Sequence, residues 1–304
     1  MGFRSRHPVL LGLMILAGIF LLFWGGTSLL FTTAIFHHDT GDLFIPSEGI
    51  GVVELKGLIV SSEETIDTLT SFRNDNKIKA ILLRIDSPGG AVGASQEIYS
   101  EVKRTNQAKP VIASIGSVGA SGGYYAALGA EKIFANPGTL TGSVGVVVKF
   151  SNFTELFDKI GYKSEVIKSG MMKDIGAIDR PMTPEERELV QNLIDNVHNQ
   201  FIQAVTERRK LPEDTVRGLA DGRIFSGEQA LEAGLIDELG NFTDAVLEAA
   251  QMAGLEQEEP NLIYPEEKKF SLLSLITGKV QQQAFDSLLK YLPVLSFQWT
   301  GTLY

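Results

Sequence analysis

Pro110-Val-Ile-Ala-Ser-Ile115 runs directly into Gly116-Ser-Val-Gly-Ala-Ser-Gly-Gly-Tyr-Tyr125. The first stretch is apolar and β-branched, and reads as a buried strand. The glycine-bearing turn after it opens a helix near Ser121. Upstream, Ala80-Ile-Leu-Leu-Arg-Ile85 reads as another buried strand and is followed by Asp86-Ser-Pro-Gly-Gly90. Ala94 to Asn106 then has helical spacing at Ile98 and Val102. Further back, Ile50-Gly-Val-Val-Glu-Leu55 reads as a strand. Glu63 to Asn74 reads as a helix, with Ser61 or Ser62 as its N-cap. Downstream, Lys132-Ile-Phe-Ala135 is a short strand followed by Gly138-Thr-Leu-Thr-Gly-Ser-Val-Gly145. Strands and helices alternating at this spacing predict an α/β fold of βαβ units around a mainly parallel sheet.

The later third is more helical. Thr183 is placed to cap a long helix that has Pro184 at its first position and reaches about Arg209. Glu228 to Ala233 and Thr243 to Met252 read as shorter helices. No internal repeat or low-complexity tract interrupts the pattern.

Composition narrows the function. The 304 residues suffice for one large domain or two small ones, and 44% hydrophobic with 21% charged residues is globular. A formal net charge of -10, without a dense Lys/Arg cluster, sets nucleic acid aside as a partner. The absence of cysteine excludes disulfides, thiol nucleophiles and thiolate metal sites. Nothing in the sequence calls for a metal or a cofactor.

The N-terminus has a different character. No residue from Pro8 to Phe36 is charged, and the run exceeds the roughly 20 apolar residues needed to cross a bilayer. It is also longer than the roughly 7–15 residue apolar core of a cleaved leader. Arg4 and Arg6 precede it, which places the N-terminus in the cytoplasm and the bulk of the chain outside. The expected organisation is a cytoplasmic N-terminus (1–8), a transmembrane anchor (9–36), a linker (37–48), an α/β domain (49–255) and a C-terminal extension (256–304). That extension closes on an apolar stretch, Tyr291 to Tyr304.

Three glycine-bearing segments follow strands, and loops at the carboxyl ends of strands line the ligand crevice of an open α/β sheet. Any one of them is most simply a tight turn. Three in consecutive units point to a site, and neither nucleotide-binding glycine pattern occurs in the right place. Ser121 stands at a strand-to-helix turn, where the helix N-terminus favours developing negative charge. A serine nucleophile needs a base and an oxyanion hole. The four histidines offer little. His7 precedes the expected span, His37 and His38 lie in the linker, and His198 falls inside the long helix. A lysine is the natural alternative, although its ordinary pKa of about 10.4 demands a desolvated or dipole-rich setting. Ile167-Lys-Ser-Gly-Met-Met-Lys-Asp-Ile175 offers both Lys168 and Lys173, and the residues alone do not choose between them.

Five ordered segments together resemble the short form of bacterial signal peptide peptidase A. They are Asp86 to Gly90, Ala120-Ser-Gly-Gly-Tyr-Tyr125, Thr141-Gly-Ser-Val-Gly-Val146, Lys168 to Asp174 and Asp221-Gly-Arg-Ile-Phe-Ser-Gly227. The resemblance runs from about residue 50 to 250. It implies a Clp/crotonase-like fold and a Ser-Lys peptidase without a cofactor. By resemblance, Ser121 is the nucleophile, Lys173 the general base and Ser143 the residue that orients the lysine. The backbone N–H groups of Gly90 and Gly122 form the oxyanion hole. The resemblance further implies a homo-oligomer, often an octamer, with sites shared between protomers. Such an assembly stands on the outer side of the bacterial inner membrane and cuts remnant signal peptides within their hydrophobic stretch. A crotonase-type acyl enzyme and an inactive scaffold of the same fold are the competing expectations. The outward domain argues against the first, and the joint presence of Ser121, Lys173 and Ser143 argues against the second.

Overall fold

The computed structural model describes residues 16–22, 24, 48–256, 259–266 and 296–298. It divides into two units, residues 1–47 and 48–304. In the first unit residues 16–22 are helical, with Leu16, Ile19, Phe20, Leu21 and Leu22 exposed. Among the described residues no helix is long and apolar enough to cross a membrane. Most of the span expected at 9–36 lies outside the described residues.

The second unit is built on a sheet whose strands are β1 (Gly49–Lys56), β2 (Ile78–Ser87), β4 (Val111–Ala120), β5 (Lys132–Ala135), β6 (Leu140–Gly142), β7 (Ile224–Ser226), β8 (Glu238–Leu239) and β9 (Asn261–Ile263). The main path runs β7-β6-β4-β2-β1-β9, and every pairing is parallel except β6 with β7. β4 is the pivot. Its first half, Ile112 to Ile115, pairs with β5, and its second half, Val118 to Ala120, pairs with β6. The glycines at 116 and 119 therefore do not end the strand as the sequence suggests. They let it continue past a fork in the sheet to the residue before Ser121.

Both faces of the central strands β1, β2 and β4 are covered, which is why these strands are largely apolar. On β2, Ile81, Leu83 and Ile85 join a large core with α1 (Glu63–Asn74), α2 (Val92–Asn106), α3 (Gly122–Ala127) and α5 (Pro184–Arg209). Ala80 and Leu82 point the other way, into a smaller core with Phe134 and with Ala245, Val246, Ala249 and Ala250 of α8 (Phe242–Met252). Each large aliphatic side chain buried here contributes about 1.5–3 kcal/mol. The remaining helices are α4 (Thr154–Ile160), α6 (Glu213–Leu219) and α7 (Gly227–Glu232).

Helix starts agree with the sequence where caps are explicit. Thr183 Oγ1 accepts from Glu186 N, Glu186 returns a carboxylate to Thr183 N, and Pro184 opens the helix. Before α1 the two serines expected at the cap divide the role. Ser62 occupies the N-cap position, but its hydroxyl turns to Glu97, and Ser61 Oγ accepts from Glu63 N. The expected α/β order holds, with short pieces added that periodicity did not reveal. One is β3 (Gly89–Ala91), which lies outside the main sheet and pairs antiparallel with β10 (Ser296–Gln298).

Candidate active site

Ser121 ends β4 and caps α3, with φ 53° and ψ -116°. A non-glycine residue held there costs about 1–3 kcal/mol and persists only where its surroundings dictate it. Here they do. Ser121 N donates to Gly142 O at 2.7 Å, and Ser121 O accepts from Tyr125 N at 2.8 Å. Behind it, Gly123 lies so close to β2 that a Cβ would stand 2.8 Å from Ser87 O. The turn is thus clamped from both sides, and the serine is only 1% exposed.

Ser143 has the same signature. Its φ is 52°, it is 6% exposed, and its N–H donates to Arg223 O at 2.8 Å. Among the described residues only Ser121, Ser143 and Lys210 combine positive φ with a side chain, and Lys210 is the C-cap of α5. The Ser121–Gly142 hydrogen bond makes the two strained serines neighbours across β4 and β6. Thr141 fastens the same pair of strands through Oγ1 to Gly119 O at 2.7 Å, and Thr139 through Oγ1 to Gly116 O at 2.6 Å. Asp86 braces the fork, with Oδ1 accepting from Ser117 N at 2.8 Å and Val118 N at 3.2 Å.

Gly90 and Gly122 meet beside Ser121. A Cβ on Gly122 would lie 2.4 Å from Ser95 Oγ and 3.1 Å from Gly90 N. A Cβ on Gly90 would lie 2.0 Å from Ile59 O. These two positions need glycine because backbone approaches backbone. Gly90 bridges to Ile59 on one side, and on the other β3 carries the antiparallel strand Ser296–Gln298. An N–H pair beside a serine at a helix start can hold the negative charge that develops on the oxygen of a tetrahedral intermediate.

The two candidate lysines are placed differently from the serines. Both lie in the segment between β6 and α5, which is largely exposed. Lys168 is committed: its Nζ donates to Asp174 Oδ1 at 2.5 Å and to Met171 O at 3.1 Å. Lys173 is exposed, and its backbone N–H closes a turn onto Gly170 O at 3.1 Å. Among the described residues of one chain no hydrogen bond joins Lys173 to Ser121 or Ser143. The structure therefore brings together Ser121, Ser143, Gly90 and Gly122, and leaves Lys173 exposed and without a hydrogen bond to either serine among the described residues. His198 sits in α5 with its buried Nε2 unpartnered among the described residues, and no hydrogen bond links it to the serine turn.

Two features escaped the sequence reading. One is the strand pairing at β3, since Asp86 to Gly90 reads as a turn. The other is an ion network beside Lys173. Arg180 holds the carboxyls of Asp174 and Glu186 far down, at about 2 each, with Lys168 adding to the effect on Asp174 and the Thr183 N–H to that on Glu186. The sequence signal was an arginine midway between two acids, which is too common a pattern to single out. A cavity of about 280 Å³ beside Asn106, Lys109, Pro110 and Glu131 lies by the start of β4, the end away from Ser121. Its Lys109 amine is used structurally, donating to Phe72 O and Asp75 O.

A sheet ending in a strained serine turn, with glycine N–H groups packed against it, is the arrangement of a Clp-like peptidase, and residues 59–140 match the Clp protease family. Residues 103–256 match peptidase family S49. A Synechocystis protein named as a protease is 43% identical over 235 residues, covering 77% of this chain and 85% of its own. The chloroplastic serine protease SPPA of Arabidopsis thaliana is 37% identical over 226 residues, covering 74% and 32%. A protein of Enterococcus faecium named as a signal peptide peptidase SppA is 35% identical over 179 residues, covering 59% and 52%. The chain thus spans most of the first relative and about a third to a half of the others. It belongs to peptidase family S49 and is an SppA-like peptidase.

Proposed function

We propose that the protein is a membrane-anchored serine endopeptidase with a Ser-Lys dyad that degrades remnant signal peptides within their hydrophobic stretch. The observation that carries this reading is the strained, buried Ser121 at the start of α3, facing the close Gly90–Gly122 backbone pair. In the proposed reaction Ser121 Oγ attacks the scissile carbonyl carbon as its proton passes to the neutral Lys173 Nζ. The carbonyl oxygen becomes an oxyanion held by the N–H groups of Gly90 and Gly122. Collapse breaks the C–N bond, and the leaving amine takes the proton from the Lys173 ammonium. Water, deprotonated by the same lysine, then hydrolyses the acyl-serine. Ser143 orients the lysine.

Three further observations support the reading. The edge of β3 accepts an extended antiparallel strand, the backbone form in which a peptide substrate adds to a sheet. Lys173 sits on an exposed, methionine-bearing loop and makes no hydrogen bond to Ser121 among the described residues, which suits a site completed by a neighbouring protomer in a homo-oligomer. The uncharged stretch from Pro8 to Phe36, after Arg4 and Arg6, suits an anchor in the bacterial inner membrane with the peptidase domain on the extracytoplasmic side. The relative named as a signal peptide peptidase suggests the substrate class.

The test is a serine-reactive fluorophosphonate applied to the detergent-solubilised protein, wild type beside Ser121→Ala. Labelling and cleavage of an apolar peptide are expected only in the wild type. Equal labelling of the two proteins excludes Ser121 as nucleophile, and an unlabelled wild type without activity favours an inactive scaffold.

A further inference from the structure

The segment that carries Lys173 has little to hold it. Between α4 and α5 it forms no regular element, and Ile167 and Met171 are 94% and 78% exposed. A base must nevertheless be presented within a few tenths of an ångström of its working position. One side chain supplies the missing restraint. Arg180 Nε donates to Asp174 Oδ2 at 3.2 Å, and Nη2 reaches Asp174 Oδ1 at 3.0 Å and Asp174 O at 3.3 Å. The other side of the same guanidinium faces Glu186, with Nη1 to Oε2 at 2.8 Å and Nη2 to Oε1 at 2.5 Å. Nη1 also reaches Pro181 O at 3.1 Å.

The two acids are not equivalent. Glu186 is 2% exposed and belongs to the first turn of α5, where its carboxylate also receives Thr183 N at 2.9 Å. It is fixed to the helix. Asp174 directly follows Lys173, and its Oδ1 also accepts from Lys168. Arg180 therefore ties the residue after the proposed base to the frame of α5. A planar fork with paired acceptors on two sides fixes orientation as well as distance, which a single ammonium cannot do.

We infer that Arg180 is a positioning residue for the reaction: by joining Asp174 to Glu186 it sets the direction in which Lys173 is presented. The inference rests on the reading of Lys173 as the base. Among the described residues Arg180 makes no hydrogen bond to Ser121 or to the glycine pair, so it acts through the loop rather than on substrate. Its loss should misplace the base without changing how the peptide binds.

The experiment measures kcat and KM on an apolar fluorogenic peptide for the full-length wild type, Arg180→Ala, Arg180→Lys and Glu186→Gln, with Lys173→Ala as the control. Arg180→Ala should lower kcat by about 100-fold, the usual cost of a small misplacement, with KM within about twofold. Arg180→Lys should recover part of that loss. Glu186→Gln, which keeps a capping side chain but loses its charge, should fall between Arg180→Lys and wild type. If Arg180→Ala fails to assemble, Asp174→Asn carries the same expectation of a kcat loss at constant KM. Wild-type kcat in Arg180→Ala, or a change confined to KM, overturns the inference while inactive Lys173→Ala leaves the proposed dyad standing. An active Lys173→Ala overturns both.

Discussion

Gly90→Ala isolates the backbone half of the proposed site. The new Cβ would stand 2.0 Å from Ile59 O and 2.6 Å from both the carbonyl carbon and the nitrogen of Ile59. Carbon and its neighbours want about 3.5–4.0 Å, and every opposing atom here is backbone, so no rotamer can relieve the clash. The bridge to Ile59 must open. Two hydrogen bonds cross it, Ala91 N to Ile59 O at 2.7 Å and Ile59 N to Gly89 O at 2.9 Å. Each such hydrogen bond contributes about 0.5–1.5 kcal/mol net, so loss of the two should cost the fold about 1–3 kcal/mol. Gly90 N moves with the strand, and loss of one oxyanion donor costs about 100- to 1000-fold in kcat. Gly93→Ala is the matched control. It lies three residues on, in α2, and its Cβ would meet nothing within 4 Å. Alanine should change stability there by no more than about 1 kcal/mol in its favour and leave turnover alone. Urea unfolding and peptide kinetics on both variants decide the matter. Wild-type kcat in Gly90→Ala would refute the role given to this N–H, and equal damage from Gly93→Ala would refute the packing argument.

Lys173→Ala should abolish cleavage, whereas Lys168→Ala should retain a substantial part because Lys168 is already paired with Asp174; the reverse ranking in a peptide assay reassigns the base. Co-expression of Ser121→Ala with Lys173→Ala chains, purified through two tags, should restore activity if neighbouring protomers complete each site, and an inactive mixed oligomer would make each chain self-contained. Asp174 and Glu186 titrate at about 2 in the fold, because Arg180 pairs with both, against about 3.9 and 4.3 for free side chains. Their stabilisation is therefore complete above about pH 5 and is lost as pH falls toward 2. Acid unfolding should show wild type ahead of Arg180→Ala near neutrality, with the lead shrinking steadily from about pH 5 and vanishing only below about pH 2, and a lead that does not shrink over that range contradicts the pairing.

How far the sequence carried depended on whether structure was dictated locally. Ala80 to Ile85 is apolar over a full strand length, and only a doubly covered parallel strand accepts such a run, so the α/β architecture was legible. The N-cap at Thr183 was legible for the same reason, since the N–H it accepts from lies three residues on, although the returning bond from Glu186 was not read. β3, β6 and β7 were not. Each has three residues, two of them glycine-bearing, and exists because a distant strand pairs with it. Ser121 could be found as the residue at a strand-to-helix turn, but its positive φ is imposed by Gly142, which follows 21 residues later in sequence and touches it only in the fold. The choice of Lys173 over Lys168 came from resemblance. Geometry now adds a reason to set Lys168 apart, because an ion pair occupies it. The anchor expected at 9–36 and much of the extension at 256–304 fall outside the described residues.

The two halves of the proposed site are held by different physics. Ser121, Ser143, Gly90 and Gly122 are fixed by backbone hydrogen bonds and by contacts too close for a side chain, all inside the core. Such contacts are short-ranged and stiff, so they can sustain the strain at both serines. By the inference above, Lys173 instead depends on a network of charged side chains that runs from the exposed loop to the buried Glu186, and at its exposed end water and salt compete with the ion pairs. The difference follows from what each half must do. An oxyanion hole works only if its dipoles are already oriented when charge develops. If, as proposed, the base serves a neighbouring chain, it must remain exposed until that chain arrives, so it cannot be fixed by burial within its own fold. An ion network anchored on a buried glutamate is a way to orient a side chain that its own core cannot enclose.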